Sequence, residues 1–428
     1  MVLLSGDSIT PVAISEMIFH KKIWIAVITI VFSIAAFISC IDNESNTADV
    51  RGPEYAGSQT CMNCHKDVYQ HYMLNAHKNT STFASGKSIF GSFSAPHNVF
   101  AYNDSDKVVM HASADSFYET EYKNGVQKRS EHFDIVIGSG RKAQTYLYYK
   151  DDQVFELPVS YFISIGAWAN SPGFPLTHPY FDRPIPSICF GCHSSAANVS
   201  IPQTGSLDVT EKYLPGQQIL GIDCERCHGP AKAHADYQTK HPEDKTAKFI
   251  AVINKLTRAQ QMDMCSICHS GVQQPIEPIF SFKPGSKIGD YYYPDALHTD
   301  ADELDVHGRQ AQKIMASECY RQSTNLTCLS CHDPHKNEND NMVAFSNRCM
   351  NCHSEINHNF CSDKSVPDSI LKTNCIDCHM PAQPSKAVQM LSDVNGKQVL
   401  QADYIRTHLV TIYPEETKKV LAIYKKQH

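Results

Sequence analysis

The sequence lacks the features that mark several large classes of protein. Its 38 Lys and Arg residues are outnumbered by 45 Asp and Glu residues, and the formal net charge is −7, so nothing indicates the basic surface of a nucleic-acid-binding protein. The segment IGSG at 137–140 is too weak a match to a phosphate-binding loop, because no strand–helix glycine signature follows it. Only 3 of the 17 cysteines lie outside one repeated pattern, and that pattern carries most of the functional information.

The repeated pattern is Cys-x-x-Cys-His, the attachment site of a c-type haem. Its two thiols form thioethers with the haem vinyl groups, and the adjacent histidine binds the iron from the proximal side. A zinc site would instead use paired Cys-x-x-Cys units with four ligands per ion. The seven copies predict seven covalently attached haem c groups. In chain order, motifs 1 to 7 consist of Cys61, Cys64 and His65; Cys189, Cys192 and His193; Cys224, Cys227 and His228; Cys265, Cys268 and His269; Cys328, Cys331 and His332; Cys349, Cys352 and His353; and Cys375, Cys378 and His379.

The N-terminal region resembles an export signal. Residues 23–39 form an apolar run that follows Lys21 and Lys22 and ends just before Cys40. Three interpretations stay open: a lipoprotein anchored at Cys40, an uncleaved anchor, and a simple signal peptide. All three place the body outside the cytoplasm. We predict a bacterial protein that is periplasmic or associated with the outer membrane, held to the membrane by a lipid at Cys40.

The spacing of the motifs predicts a chain packed around its cofactors. About 55 residues per haem are too few for an ordinary apolar core around each one, so we expect the porphyrins to form much of the interior. We predict a mainly α-helical and irregular multihaem cytochrome scaffold packed around stacked haems, with a small antiparallel β insert. The predicted segments are a leader (1–40), a polar tether (41–58), a first-haem segment (59–95), the β-rich insert (96–183), a six-haem core (184–382) and a C-terminal helical tail (383–428).

Two cysteines outside the motifs, Cys319 and Cys361, have two interpretations. An oxidising compartment permits a disulfide between them. The alternative is a pair of buried free thiols, and sequence alone does not give their separation.

Histidines outside the motifs are candidates for the second axial position of each iron. Fifteen of the 22 histidines are not proximal ligands. His335 follows His332 by three residues, a connection too short to reach the opposite face of the same iron, so it would bind a neighbouring haem. His234, in the segment CHGPAKAH, offers a similar geometry beyond His228. Histidine on both faces gives a low-potential haem suited to electron transfer, whereas an open face permits substrate binding.

Three segments, CHGPAKAH, LTCLSCHDPH and NCIDCHMP, resemble multihaem cytochromes c of the group that includes pentahaem nitrite reductase, hydroxylamine oxidoreductase and octahaem tetrathionate reductase. The segment GSQTCMNCHKDVYQHYMLNAHKNTS is similar to the first-haem segment of the smaller electron-carrying members. The resemblance implies closely stacked, mostly bis-histidine haems on a helical scaffold. It favours six distal ligands: His77, His234, His307, His335, His358 and His408.

The sequence departs from that group in two ways. Its nitrite reductases carry lysine in place of histidine at the catalytic haem, whereas every motif here ends in histidine. The cysteine-free β insert is also foreign to those enzymes. Both departures weaken an enzymatic interpretation, and we assign no catalytic residue.

Two functions remain open. The first is an electron carrier that exchanges electrons with redox protein partners, such as quinol-oxidising or terminal reductase complexes. The second is an oxidoreductase that acts on a small nitrogen or sulfur oxyanion at one open-faced haem. Four polar candidates lie in or beside the β insert, His132, Arg141, Lys142 and His178, and this hypothesis has the segment VIGSGRKAQTYLYYKDD fold over the haem at Cys189.

Overall fold

The computed structural model of the chain describes residues 49–203, 205, 209–294, 300–338, 341–357, 359–394 and 397–427. The predicted leader with its lipidation site Cys40, and the predicted ligand His358, lie outside these residues. Among the helices of the described ranges, none combines the length and the apolar composition needed to cross a bilayer.

The helices are short, and half of the α-helices in the described ranges carry motif residues. In the described ranges, the α-helices are α1 (Ser58–Met62), α2 (Lys66–Met73), α3 (Ser187–His193), α4 (Cys224–His228), α5 (Lys232–Lys240), α6 (Arg258–His269), α7 (Gln310–Ala316), α8 (Glu318–Gln322), α9 (Met342–Met350), α10 (Asp368–Leu371), α11 (Ile376–His379) and α12 (Pro414–Gln427). Single turns of 3₁₀ helix occur at Ile253–Lys255, Ile288–Asp290 and Cys328–Ser330.

The strands form four antiparallel sheets within the described residues. They are β1 (Ser81–Phe83), β2 (Val99–Ala101), β3 (Asp106–Ser113), β4 (Ser116–Lys123), β5 (Val126–His132), β6 (Ile135–Ile137), β7 (Ala143–Lys150), β8 (Gln153–Glu156), β9 (Val159–Phe162), β10 (Ala167–Asn170), β11 (Arg183–Pro184), β12 (Ser194–Ser200), β13 (Lys212–Leu220), β14 (Ala382–Val394) and β15 (Lys397–Arg406). Strands β2 to β5 form a meander. A seven-stranded sheet runs β1-β6-β7-β8-β11, with β9 paired to β7 and β10 paired to β9.

Turn residues explain the sharp reversals of the meander. Asn124 and Gly125 both have positive φ angles, 52° and 77°, and they join β4 to β5. Two consecutive residues with positive φ are the signature of a type I′ hairpin turn, in which Asn-Gly is a preferred pair. The sharp turn at this place follows from that preference.

The seven-stranded sheet buries side chains on both faces. On one face, Val136 and Tyr146 pack with Phe133 and with residues of β2 and β3 in the main apolar core. On the other face, Ile135 and Leu147 pack against Phe190, which lies inside motif 2. Alternate residues of a strand point to opposite faces, so a strand that is covered on both sides is apolar throughout. Motif 2 therefore packs against one face of this sheet.

The prediction of a mainly α-helical scaffold with a small β insert is wrong. The structure contains 27% helix and 26% strand, arranged in four antiparallel sheets. The physical reason is that the strands build an apolar core of their own, in which Phe133 and Tyr146 stack with ring centres 4.5 Å apart and neither ring is exposed to solvent. Much of the interior is thus formed by side chains.

The C-terminal segment, predicted to be helical, contains the hairpin of β14 and β15, and only Pro414–Gln427 is helical. Met390 and Leu391 of β14 belong to the main core, and the Leu391 backbone N–H donates to Asn170 Oδ1 on β10. The hairpin is therefore bound to the strands that precede motif 2 in the chain.

Candidate haem-binding site

Each motif is folded as one turn of helix. In motifs 1, 5 and 6 the backbone N–H of the histidine donates to the carbonyl of the first cysteine, at 2.8, 2.9 and 2.9 Å. Residues four apart lie on the same face of a helical turn. The turn therefore presents the first thiol and the imidazole toward the same side, as attachment to one porphyrin requires.

Four motif histidines lie opposite a histidine from elsewhere in the chain. Two imidazoles that bind one metal ion from opposite sides have ring centres about 6 Å apart, because each metal–nitrogen bond is about 2 Å long and each nitrogen lies about 1 Å from its ring centre. The observed separations, 6.0–6.5 Å, match this distance. The pairs are His65 with His234, His269 with His77, His228 with His335, and His332 with His408.

A fifth motif histidine, His193 of motif 2, is close enough to His307 for their charges to interact, and burial is the main cause of its lowered pKa. The Nδ1 atom of His193 is 3.0 Å from Thr80 Oγ1. Five of the six predicted distal ligands are thus brought to a motif histidine, and the sixth, His358, is not described.

Carbonyl oxygens orient several of these rings. Nδ1 of His228 lies 3.0 Å from the Ala251 carbonyl, Nδ1 of His234 lies 2.9 Å from the Lys248 carbonyl, and Nδ1 of His379 lies 2.8 Å from the Thr411 carbonyl. A carbonyl only accepts, so the hydrogen is on Nδ1 and the lone pair on Nε2 is free for a metal.

The protein interior also keeps the rings neutral. Desolvation lowers the pKa of His408 to about 4, and it lowers the pKa of His193 and of His228 from the usual value. A metal binds the neutral imidazole, so these surroundings suit axial ligands.

Cysteine thiols from different motifs lie close enough to shift each other's pKa. These proximities join motif 1 to motif 3, motif 2 to motif 4, motif 4 to motif 5, and motif 6 to motif 7. The pairs are Cys61 with Cys224, Cys192 with Cys268, Cys265 with Cys328, and Cys349 with Cys375. Burial is the main cause of the raised pKa of Cys227 and of Cys331, and the charges of Cys268 and Cys352, respectively, raise these values further. These effects add links between motifs 3 and 4 and between motifs 5 and 6. The seven motifs therefore form one connected set.

Polar residues that sequence analysis missed hold the distal ligands. The Pro334 carbonyl, between His332 and His335, accepts from Asn75 Nδ2 at 2.7 Å and from the side chain of His77. Pro334 lies inside a Cys-x-x-Cys-His-x-x-His segment, and nothing in that sequence pattern indicates that its carbonyl binds Asn75 and His77.

Asp305 holds the loop that carries His307. Its carboxylate accepts from the backbone N–H of His307 at 2.6 Å and from Ser385 Oγ at 2.9 Å, and the backbone N–H groups of Lys386 and Ala387 also donate to it. The last three donors lie on β14, where a register shift separates Pro384 from Gln389. The hairpin that the sequence analysis did not predict thus positions one candidate ligand, and His408 follows directly after its second strand.

The four polar candidates of the oxidoreductase hypothesis have partners of their own. His132 Nδ1 is 2.7 Å from Asp134 Oδ1, and Lys142 Nζ donates to the Tyr404 carbonyl at 2.7 Å. The charge of Arg141 lowers the pKa of His332 in motif 5, whereas our hypothesis placed this segment over motif 2. His178 Nδ1 lies 3.2 Å from Oγ1 of the neighbouring Thr177, at an exposed position.

Cys319 and Cys361, the described cysteines outside the motifs, are both free thiols. Cys319 is half-buried and Cys361 is exposed. Cys361 lies close enough to Cys378 of motif 7 for their charges to interact.

Comparison with known proteins bears on the fold. No protein-family model matches the chain, and no curated protein matches it in sequence. The structure resembles the crystal structure of the outer cell wall cytochrome OcwA, with a TM-score of 0.52 and 17% sequence identity over 86% of this chain and 81% of that chain. The chain therefore shares its fold with a cytochrome, and the paired imidazoles, free Nε2 atoms and clustered thiols fit haem c.

Proposed function

We propose that the chain is an extracytoplasmic heptahaem c-type cytochrome that carries electrons between redox partners along closely spaced haems with histidine on both faces of most irons. One observation carries the proposal: cysteines of different motifs lie close enough to influence one another's pKa, and these proximities connect all seven motifs. Haem c supplies a one-electron couple when bound. The residues of the chain hold the attachment points close together and supply the axial imidazoles.

The proximities between motif cysteines predict the order in which an electron passes the haems. Motifs 1, 3, 4, 5, 6 and 7 follow one another, and motif 2 branches from motif 4 through Cys192 and Cys268. One crossed ligand supports the first step of this order, because His234 follows motif 3 and faces motif 1.

Exposure indicates where electrons enter and leave. Cys64 of motif 1, Cys189 of motif 2 and Cys352 of motif 6 are exposed. We propose that redox protein partners dock beside these motifs. The likeness to an outer cell wall cytochrome supports a location outside the cytoplasm, and a lipid at Cys40 would hold the chain at a membrane.

Intact mass and an electron paramagnetic resonance spectrum of the oxidised holoprotein test the cofactor content and the ligation. We expect a mass increase of seven haems and low-spin iron throughout. Fewer haems would overturn the stoichiometry. A high-spin iron in the wild-type protein would argue against a pure carrier and would favour reduction of small nitrogen or sulfur oxyanions at an open face.

A second experiment tests the path itself. The exposed thiol of Cys361, beside motif 7, accepts a photoreductant, and Cys319 is replaced with Ser to make the labelling specific. In a His234→Ala background the motif-1 haem is high-spin, so its reduction is seen separately from that of the others. After a flash, we expect the electron to arrive at motif 1.

Two variants that each lack one haem provide the decisive comparison. Removal of motif 4 by Cys265→Ala and Cys268→Ala should abolish arrival, because motif 4 lies on the path. Removal of motif 2 by Cys189→Ala and Cys192→Ala should preserve it, because motif 2 is a branch. Equal arrival in both variants would contradict the proposed order.

A further inference from the structure

A buried carboxylate lies at the junction of motifs 1 and 3. Glu225 is the residue after the first cysteine of motif 3, and it is 3% exposed. Its Oε1 accepts from the backbone N–H groups of Ala56 and Ala231, both at 2.8 Å. Its Oε2 accepts from the Gly57 N–H at 2.8 Å and from Arg51 Nη2 at 3.1 Å. The carboxylate thus has four donors, three from the segment 51–57 and one from the residue just before α5.

Two of these donors are the N-cap residues of the helices that carry one imidazole pair. Gly57 caps α1, which begins motif 1 and leads to His65. Ala231 caps α5, which carries His234. The two rings lie 6.5 Å apart with an interplanar angle of 18°. One carboxylate therefore fixes the starting points of both chain segments that face the motif-1 iron position.

Other contacts strengthen the same junction. The Lys232 N–H donates to the Glu54 carbonyl at 3.0 Å, so the segment 51–57 lies directly against α5. Arg51 also donates to Asp223 Oδ1 at 3.1 Å, and its guanidinium lies 4.2 Å from the ring centre of Tyr55. This part of the predicted tether is bound to the cytochrome body.

We propose that Glu225 is a positioning residue that sets both axial ligands of the motif-1 haem. The inference rests on the proposed function, because it requires that motif 1 binds haem. Glutamine at this position has one acceptor oxygen and an NH₂ group, so two of the four donors would face another donor. Buried donors without an acceptor are costly, so the two helix starts would move apart.

The test is the spin state of the Glu225→Gln holoprotein. We expect a new high-spin signal of at most about one seventh of the iron, with the other irons low-spin, and added imidazole should return it to low spin. The matched control is Asp236→Asn, which removes an equal charge from an exposed carboxylate on α5 that pairs with Lys232. It should keep the wild-type spectrum.

A double variant identifies the affected haem. His234→Ala removes the proposed ligand directly, and the Glu225→Gln change should add no second high-spin iron to it, because both act on one site. Two high-spin irons in the double variant, or a fully low-spin Glu225→Gln protein, would overturn the proposal. Either result leaves the electron-carrier function untouched, since that function is judged by the flash experiment.

Two further variants distinguish the hydrogen bonds of Glu225 to the backbone from the effect of its charge. They also keep the proposal testable if the Glu225→Gln protein fails to fold or to bind haem. Glu225→Asp keeps the charge and shortens the reach, so it should show the same signal at lower intensity, and a wild-type spectrum would refute the inference. Arg51→Gln leaves the three backbone donors in place and should stay low-spin. If it instead reproduced the Glu225→Gln signal, the ion pair would be the determinant and the backbone anchoring would be rejected.

Discussion

Replacement of His335 with alanine isolates one crossed ligand. The ring of His335 lies 6.1 Å from that of His228, at 19°, and its Nδ1 is 3.3 Å from Asp333 Oδ1. Its backbone belongs to the segment that follows motif 5, yet its ring faces motif 3. The variant removes the second imidazole at motif 3 and leaves all fourteen attachment cysteines in place.

The expected magnitude follows from the count of motifs. One iron should lose its strong-field distal ligand, so about one seventh of the total iron should become high-spin. Spin quantification of the oxidised protein measures this fraction, and intact mass should still show seven haems. The reduction potential of that haem should rise, because the bis-histidine state favours low potential.

The control for this variant is His71→Ala. His71 is exposed, and its Nδ1 lies 2.9 Å from the Asp67 carbonyl of the same helix. It should give the wild-type spectrum. A His335→Ala protein with only low-spin iron would refute the assignment of His335 as a ligand, and with it the crossed arrangement of motifs 3 and 5.

Three further predictions concern the core, one buried acid and one ligand loop. Phe133→Ala removes a ring that is 0% exposed and should lower the free energy of unfolding by about 3–5 kcal/mol, measured by thermal denaturation. Burial raises the pKa of Glu156 from 4.5 to about 7, against the opposing effect of Arg183, so the folded chain keeps a proton that the unfolded chain releases. Stability should therefore fall as the pH rises from 4.5 to about 7, and Glu156→Gln should remove that decline in melting curves taken across this window. Asp305→Asn should free the loop of His307 and make one iron high-spin, and an unchanged resonance spectrum would count against its role.

The sequence determined by itself the features that depend on short segments. Cys-x-x-Cys-His places two thiols and an imidazole within one helical turn. Five adjacent residues therefore specify both the haem attachment site and the proximal histidine. The Asn124-Gly125 turn is local for the same reason, because two residues with positive φ reverse the chain without help from elsewhere.

Only the tertiary structure decided the features that depend on distant segments. The pairing of His77 with His269, or of His408 with His332, joins parts of the chain that no local pattern connects. The same is true of the sheets. A run such as TYLYYK predicts a strand, but whether one face or both are covered depends on what packs against it, here the β2–β5 meander on one side and Phe190 of motif 2 on the other. The proposed order of the motifs likewise depends on long-range packing, since contact between distant residues is set by the whole fold and covalent spacing reaches only a few residues.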